Sequence, residues 1–290
     1  MAAAEDRPGT FWWTWRRMLA TATLAALTAW GTYEVISWPD VAGLAARAPE
    51  TTAFIERYRA RQRVAGRSEA VAWRPVEDER ISAHLKRAAV AAEDMEFFSH
   101  QGFSSSEMKA ALREAVRQLE SPRGASTITQ QLAKNLWLTP SRNPARKLRE
   151  AVLTRQLEHH LSKRRILALY LNVVEFGPGV YGAEAAARTY FGKPAAQLTE
   201  REAAELAAGL PRPSSWHPGV ESRAYRRYVE EIERRMAAAP FLRRAVGGGG
   251  PPAADSLPLR LPDRESLLTD LRERVAPVET TLVESRGGPL

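Results

Sequence analysis

Residues 82–102 read SAHLKRAAVAAEDMEFFSHQG. Leu85, Ala88, Ala89 and Ala92 recur at helical spacing, so the stretch opens as an amphipathic helix whose apolar stripe ends at Glu93. There the composition changes: Glu93, Asp94, Glu96 and His100 gather around Phe97 and Phe98. A run of acids at a helix end is by itself most often a solvated surface. The ordered pattern Glu-Asp-x-x-Phe-x-x-His-x-Gly is more specific than the cluster alone.

Outward from this stretch, helical periods dominate. Ser104 to Ser106 can cap a helix with the stripe Met108, Ala111, Leu112, Ala115, Val116 and Leu119, which Ser121-Pro122-Arg123-Gly124 breaks. Asn143-Pro144 starts a long helix, with Asn as cap and Pro in the first turn. Another helix opens at Ser162, and Thr199 with Glu202 makes a capping box for one ending at Gly209. Tyr225, Tyr228, Val229, Ile232 and Met236 fit a last amphipathic helix. Strand-like alternation is scarce, while Ala and Leu are abundant, so the fold class is mainly α. Residues 39–80 read as a connecting segment with a short helix near Thr51 to Arg63, and 81–240 as one helical domain. Gly247 to Gly250 and Pro251-Pro252 mark a tail, 241–290, expected to be largely disordered.

Two further constellations carry chemistry. Residues 123–136, RGASTITQQLAKNL, bring a Gly turn, hydroxyls, paired amides and one lysine together. Gln130 and Lys134 are four apart, so they are expected on one helix face, which would offer neutral donors and a cation to a sugar-phosphate. A capped polar helix is the plainer alternative. Arg146-Lys147-x-x-Glu150 again sets Arg146 and Glu150 four apart. The plainer alternative there is a surface ion pair, worth under about 1 kcal/mol.

Together these segments resemble the family 51 glycosyltransferases, the peptidoglycan polymerases. Two more stretches extend the likeness. One runs from Lys163-Arg164-Arg165 through Tyr170-Leu171-Asn172, Gly177, Gly182 and Ala185-Ala186 to Tyr190-Phe191-Gly192-Lys193. The other runs from Leu198-Thr199 through Glu202 and Glu205 to Leu210-Pro211 and Pro213. Five motifs thus occur in order over about residues 81–218. Only residues 219–290 follow the last motif, so a monofunctional biosynthetic transglycosylase without a transpeptidase domain is expected. Ala125 stands where many relatives have a second Gly, which stiffens that loop slightly.

The resemblance implies a lysozyme-like helical catalytic domain with a small jaw subdomain near the membrane. Leu136, Trp137 and Leu138 belong either to the jaw's apolar surface or to the core. It also implies a reaction. The 4-hydroxyl of lipid II attacks the anomeric carbon of a growing lipid-linked glycan strand, inverts it and expels undecaprenyl pyrophosphate. That chemistry asks for a base beside the hydroxyl and cations beside the leaving group. By resemblance Glu93 is the base and Glu150 the second functional carboxylate, near the donor pyrophosphate or a divalent ion (Mg or Mn). No cofactor is otherwise required. Lys134, Arg146, Lys147 and Lys163 are candidates for the pyrophosphate, and Ser126, Gln130 and Gln131 for sugar and phosphate oxygens. His100 is expected to fix its loop, and Tyr170, Asn172 and Phe191 to be architectural. A lytic enzyme cutting glycan with one Glu is the hydrolytic alternative, and an inactive scaffold binding other cell-wall synthesis proteins the non-enzymatic one.

Composition agrees with an anionic partner. Net charge is +8, from 42 Lys and Arg against 34 Asp and Glu, and the sequence pI is about 10.0. No zinc-finger spacing or aromatic nucleic-acid motif accompanies the charge, so nucleic acid is not expected as a partner. Cysteine is absent, which excludes disulfides and thiolate metal sites. Residues 18–38, MLATATLAALTAWGTYEVISW, have the length of a bilayer span, roughly 20 residues. Trp12, Trp13 and Trp15 flank one side and Trp30, Tyr33 and Trp38 the other, and Arg16 and Arg17 put residues 1–17 in the cytoplasm. A single-pass anchor in the cell inner membrane with a periplasmic catalytic domain is expected; a cleaved signal peptide is the rival.

Overall fold

In a computed structural model of the chain, the residues described are 9–104, 126–139, 141 and 143–247. The helix expected over Ser104 to Leu119, the break at 121–124 and the tail from 248 onward lie outside them. Ten α-helices occur among the described residues, besides three short 3-10 turns. They are α1 (Gly9–Ile36), α2 (Ala53–Val64), α3 (Ala83–Glu93), α4 (Ile128–Trp137), α5 (Pro144–His160), α6 (Lys163–Val173), α7 (Ala183–Phe191), α8 (Glu200–Gly209), α9 (Arg223–Ala238) and α10 (Phe241–Val246). The fold is mainly helical, as the periods predict.

Local chemistry explains where these helices begin. Asn143 accepts from Ala145 N at 2.9 Å with Pro144 in the first turn, and Ser162 accepts from Arg165 N at 3.2 Å. Thr199 and Glu202 form the reciprocal box read from the sequence. Burial then decides how the helices pack. In α6 every residue from Ile166 to Val173 is buried, so it is the central helix rather than an amphipathic surface one. Ala88 and Ala89 of α3 meet an α8 that is equally rich in small side chains, with Ala203, Ala204, Ala207 and Ala208 all buried. Short side chains let these two backbones approach closely at native density. From α9, the stripe Tyr225, Val229, Ile232 and Met236 closes over both.

Three short strands were not expected. β1 (Ala72–Trp73) pairs parallel with β3 (Val180–Tyr181), which pairs antiparallel with β2 (Glu175–Gly177), in the order β1-β3-β2. Runs of two or three residues are too short to leave an alternating pattern in sequence.

The structure corrects three boundaries. Residues 39–80 hold the expected short helix, α2, but are more than a connecting segment: Val41, Leu44 and Ile55 are in the core. Arg165 holds the carbonyls of Leu44 and Arg47, each at 2.8 Å, and the Trp38 indole donates to Gln156 at 2.7 Å. The folded body also runs past residue 240, because Leu242 and Val246 of α10 are buried and α10 packs on α3. Finally, α1 covers the stretch read as a transmembrane span, but among the described residues no helix is long and apolar enough to cross a membrane. The reason is composition: within residues 18–38 four threonines, with Trp30, Gly31, Tyr33 and Glu34, dilute the Leu and Ala.

Candidate active site

Glu93 is the last residue of α3, and Asp94 leaves the helix with an extended φ of −164°. The carbonyls of that last turn would be orphans. They are taken up from α9: Tyr228 donates its hydroxyl to Ala92 O at 3.1 Å, and Arg235 donates to Ala91 O at 3.3 Å. Asp94 turns inward. Its carboxylate accepts from Ile128 N at 3.1 Å, at the positive end of α4, and from His100 Nε2 at 3.0 Å. His100 Nδ1 accepts from Gly102 N at 3.0 Å, so the ring proton sits on Nε2 and points at Asp94. His100 therefore fixes its loop, as the sequence reading expects. Gly102 has φ +91°, and a Cβ there would lie 2.8 Å from the Thr154 methyl, so only glycine suits this turn.

The α4 helix is anchored by the same loop. Thr127 donates to Gly102 O at 2.8 Å while accepting from Gln130 N, and Gln130 returns its Oε1 to Thr127 N at 3.0 Å. Gln130 is thus buried in a capping box, which removes its acceptor from any sugar. Its neighbour Gln131 is the amide that faces the site: its Nε2 donates to Glu93 Oε2 at 2.6 Å and to Ser126 O at 3.2 Å. The face read as Gln130 with Lys134 is therefore Gln131 with Lys134, an i,i+3 pair, because the cap turns Gln130 inward. Tyr170 of α6 donates its hydroxyl to Gln131 Oε1 at 3.1 Å.

Electrostatics tie the two carboxylates together through Lys134. Burial pushes the Glu93 carboxyl above its ordinary value; the Gln131 hydrogen bond and the Lys134 charge pull it down, and Asp94 adds to the rise. Burial also lowers the Lys134 ammonium, against the pull of Glu150 first and Glu93 second. Glu150 itself is buried, its side chain only 4% exposed. Arg146 donates to Glu150 Oε2 at 2.9 Å, and Lys147 pairs with Glu150 Oε1. The pair is therefore not the exposed surface bridge of the plainer alternative. Lys134, Arg146 and Lys147 outnumber Glu150 locally, which makes the region around it suited to a multiply charged anion.

Lys163 lies elsewhere. It donates to Glu158 at 2.7 Å and sits 4.5 Å above the Phe97 ring, while Glu158 also takes the Thr129 hydroxyl at 2.5 Å. It braces α5, α6 and the loop after α3, and is not grouped with the other cations. Leu136 and Leu138 are buried and Trp137 packs, partly buried, against the core, which favours core packing over an apolar jaw surface. Asn172 is architectural: its amide bonds both Val76 N and Val76 O, at 2.8 and 2.9 Å. The sequence reading missed Tyr228 and Arg235, whose partners lie far away in the chain, and Asp94 as an anchor of α4. Thr127 with Gln130 was legible as a capping box and passed over.

The donor set does not fit a divalent ion caged by protein. Among the described residues no three Asp, Glu or His side chains converge, and both oxygens of Glu150 are engaged by cations.

Comparison with known proteins agrees with the motifs. A transglycosylase family model matches residues 58–237. The chain is 42% identical over 231 residues to a biosynthetic peptidoglycan transglycosylase of Thiobacillus denitrificans, covering 79% of this chain and 97% of that protein. A protein of the same name from Azoarcus sp. is 43% identical over 230 residues, 78% of this chain and 96% of its own length. One from Methylobacillus flagellatus is 49% identical over 164 residues, 57% and 72% of the two chains. With the family matched over more than half its length, the chain belongs to the transglycosylase family and is a glycosyltransferase.

Proposed function

We propose that the chain polymerises peptidoglycan glycan strands, with lipid II as acceptor and the growing lipid-linked strand as donor. Glu93 takes the proton of the acceptor 4-hydroxyl as its oxygen bonds to the donor's anomeric carbon. The bond from that carbon to undecaprenyl pyrophosphate breaks on the opposite face, so the centre inverts and the electron pair leaves with the pyrophosphate. Lys134, Arg146 and Lys147 balance the charge of that leaving group. Ser126 and Gln131 line the approach to Glu93. The observation that carries this reading is that α4 presents the Gln131 amide to the Glu93 carboxyl at 2.6 Å and also bears Lys134, while a second carboxylate, the buried Glu150, is paired with Arg146 and Lys147. A lysozyme-like arrangement with a membrane-proximal jaw accords with the helical fold. A divalent cation, Mg or Mn, would be held mainly by the pyrophosphate oxygens, since among the described residues no three Asp, Glu or His side chains converge.

The substrate's lipid argues for work at a membrane. Trp15, Met18, Leu19, Leu24 and Ile36 of α1 are exposed. Thr21 and Thr28 donate their hydroxyls back to helix carbonyls at 2.8 to 3.0 Å, which lowers the cost of an apolar setting. We place α1 at the cell inner membrane and the catalytic body on its periplasmic side. The test is incubation of purified protein with labelled lipid II. High-molecular-weight product that lysozyme digests supports the proposal; release of soluble sugar from finished peptidoglycan, without polymer from lipid II, overturns it.

A further inference from the structure

We propose that Tyr170 is a positioning residue that, through the Gln131 amide, holds Glu93 in its ionised, proton-accepting form. The inference rests on the reading of Glu93 as the base. Three contacts define one orientation of the Gln131 amide. Its Nε2 faces two acceptors, Glu93 Oε2 at 2.6 Å and Ser126 O at 3.2 Å, and its Oε1 faces the Tyr170 hydroxyl at 3.1 Å. Turning the amide over would set its oxygen against a carboxylate and a carbonyl, and its NH2 group against the phenol. Without the phenol, only the Glu93 and Ser126 contacts would hold the orientation, and the amide oxygen would lose its donor.

Tyr170 suits a fixed donor. It is fully buried, so no water competes for the hydroxyl. Burial and the nearby Glu93 push its pKa well above the ordinary phenol value, so the proton stays on the oxygen around neutral pH. The ring belongs to α6, the central helix, whose position the core determines. Gln131 in turn donates to the charged form of Glu93 and opposes the burial that would protonate it. The other groups that act on Glu93 are Lys134 from α4, Asp94 next to it, and Tyr228 from α9; none of them touches the Gln131 amide oxygen. The phenol therefore acts on the base at one remove, by keeping the amide's donor aimed.

The experiment is the pH dependence of kcat/KM for lipid II polymerisation by the full-length enzyme in detergent, with folding followed by circular dichroism. Tyr170→Phe is expected to move the acid limb up by about one pH unit. Activity on the limb then falls about tenfold, while the alkaline plateau stays within about twofold. Gln131→Met, at a partly exposed position, is expected to move the limb at least as far. A purely structural Tyr170 would lower the melting temperature and leave the limb where it is; an unmoved limb in folded variants overturns the proposal. Should Tyr170→Phe fail to fold, Gln131→Met decides on the same criterion. Glu93→Gln runs beside them. If it retains normal turnover, the assignment of the base is what fails; if it is inactive while the limb of the other variants is unmoved, only the Tyr170–Gln131 relay fails.

Discussion

Ionising Glu93 works against its own burial, and that conflict can be read in both activity and stability. Because its folded pKa is raised, the folded chain binds more protons than the unfolded chain between the ordinary carboxyl value and the raised one. Stability therefore falls as pH rises through that window and stays lower above it. Glu93→Gln removes the effect while keeping the side chain's size. Polymerisation is expected to drop about 100-fold or more. The melting temperature, by calorimetry, should exceed wild type by a margin near zero in acid that grows toward neutral pH. A variant equally inactive but less stable at neutral pH would contradict this balance. Lys134 makes the complementary case. Lys134→Ala should retain its circular dichroism spectrum and lose at least about tenfold in turnover, as for removal of a charge-stabilising donor. Since Lys134 pulls the Glu93 carboxyl down, the acid limb of its pH profile should also move up. Normal turnover by folded Lys134→Ala would reduce it to a structural cation. Both residues were legible in their motifs. That Gln131 rather than Gln130 meets Glu93 was not, because the Thr127 cap, tied in turn to Gly102, decides which amide turns inward.

The segments around the site depend on one tight turn. Gly102 passes its carbonyl to Thr127 and its N–H to His100, and its positive φ and the Thr154 methyl leave no room for a side chain. Gly102→Ala should cost about 1–3 kcal/mol, from strain in both backbone and packing. Adding Thr154→Ser, which deletes the clashing methyl but keeps the hydroxyl that bonds Glu150 O at 2.7 Å, should restore part of that loss in urea denaturation. No recovery would place the cost in the backbone and in the second close contact, Glu158 Cγ at 3.1 Å. Helices with caps or stripes were legible at this scale: α5, α6 and α8 begin where Asn143, Ser162 and Thr199 accept first-turn N–H groups, and α9 carries the stripe Tyr225 to Met236. The strands and α10 were not. Strands of two or three residues and a six-residue helix carry too little periodicity, and β1 and α10 are held by partners distant in sequence.

For the molecule as a whole, the edges of the folded body set the outcome of truncation. Ending the chain after Gly248 keeps α10 and the Arg164 bond to Gly247 O at 2.8 Å, and should leave the melting temperature and detergent activity unchanged. Ending it after Pro240 uncovers the α3 surface under Leu242 and Val246, a loss of about 3–6 kcal/mol for two buried aliphatic side chains. Equal melting temperatures for the two truncations would show that α10 contributes nothing. At the other end, removal of residues 1–36 spares Trp38 and its bond to Gln156. That variant should remain active in detergent but slow on lipid II in vesicles, since confinement to one surface raises the encounter rate. Unchanged rates in vesicles would detach α1 from that role. The sequence by itself determined the family, the mainly helical class, the starts of α5, α6 and α8 and the pairing of Arg146 with Glu150. All of these depend on ordered motifs, or on residues within about one helical turn, where spacing dictates geometry. Only the tertiary structure decided that Lys163 braces Phe97 and Glu158, that residues 39–80 join the core, and that Tyr170, Gln131 and Glu93 form one chain of hydrogen bonds. Most of those contacts join residues tens of positions or more apart, and they form because packing the helices brings such residues together and leaves their buried polar groups only one another as partners.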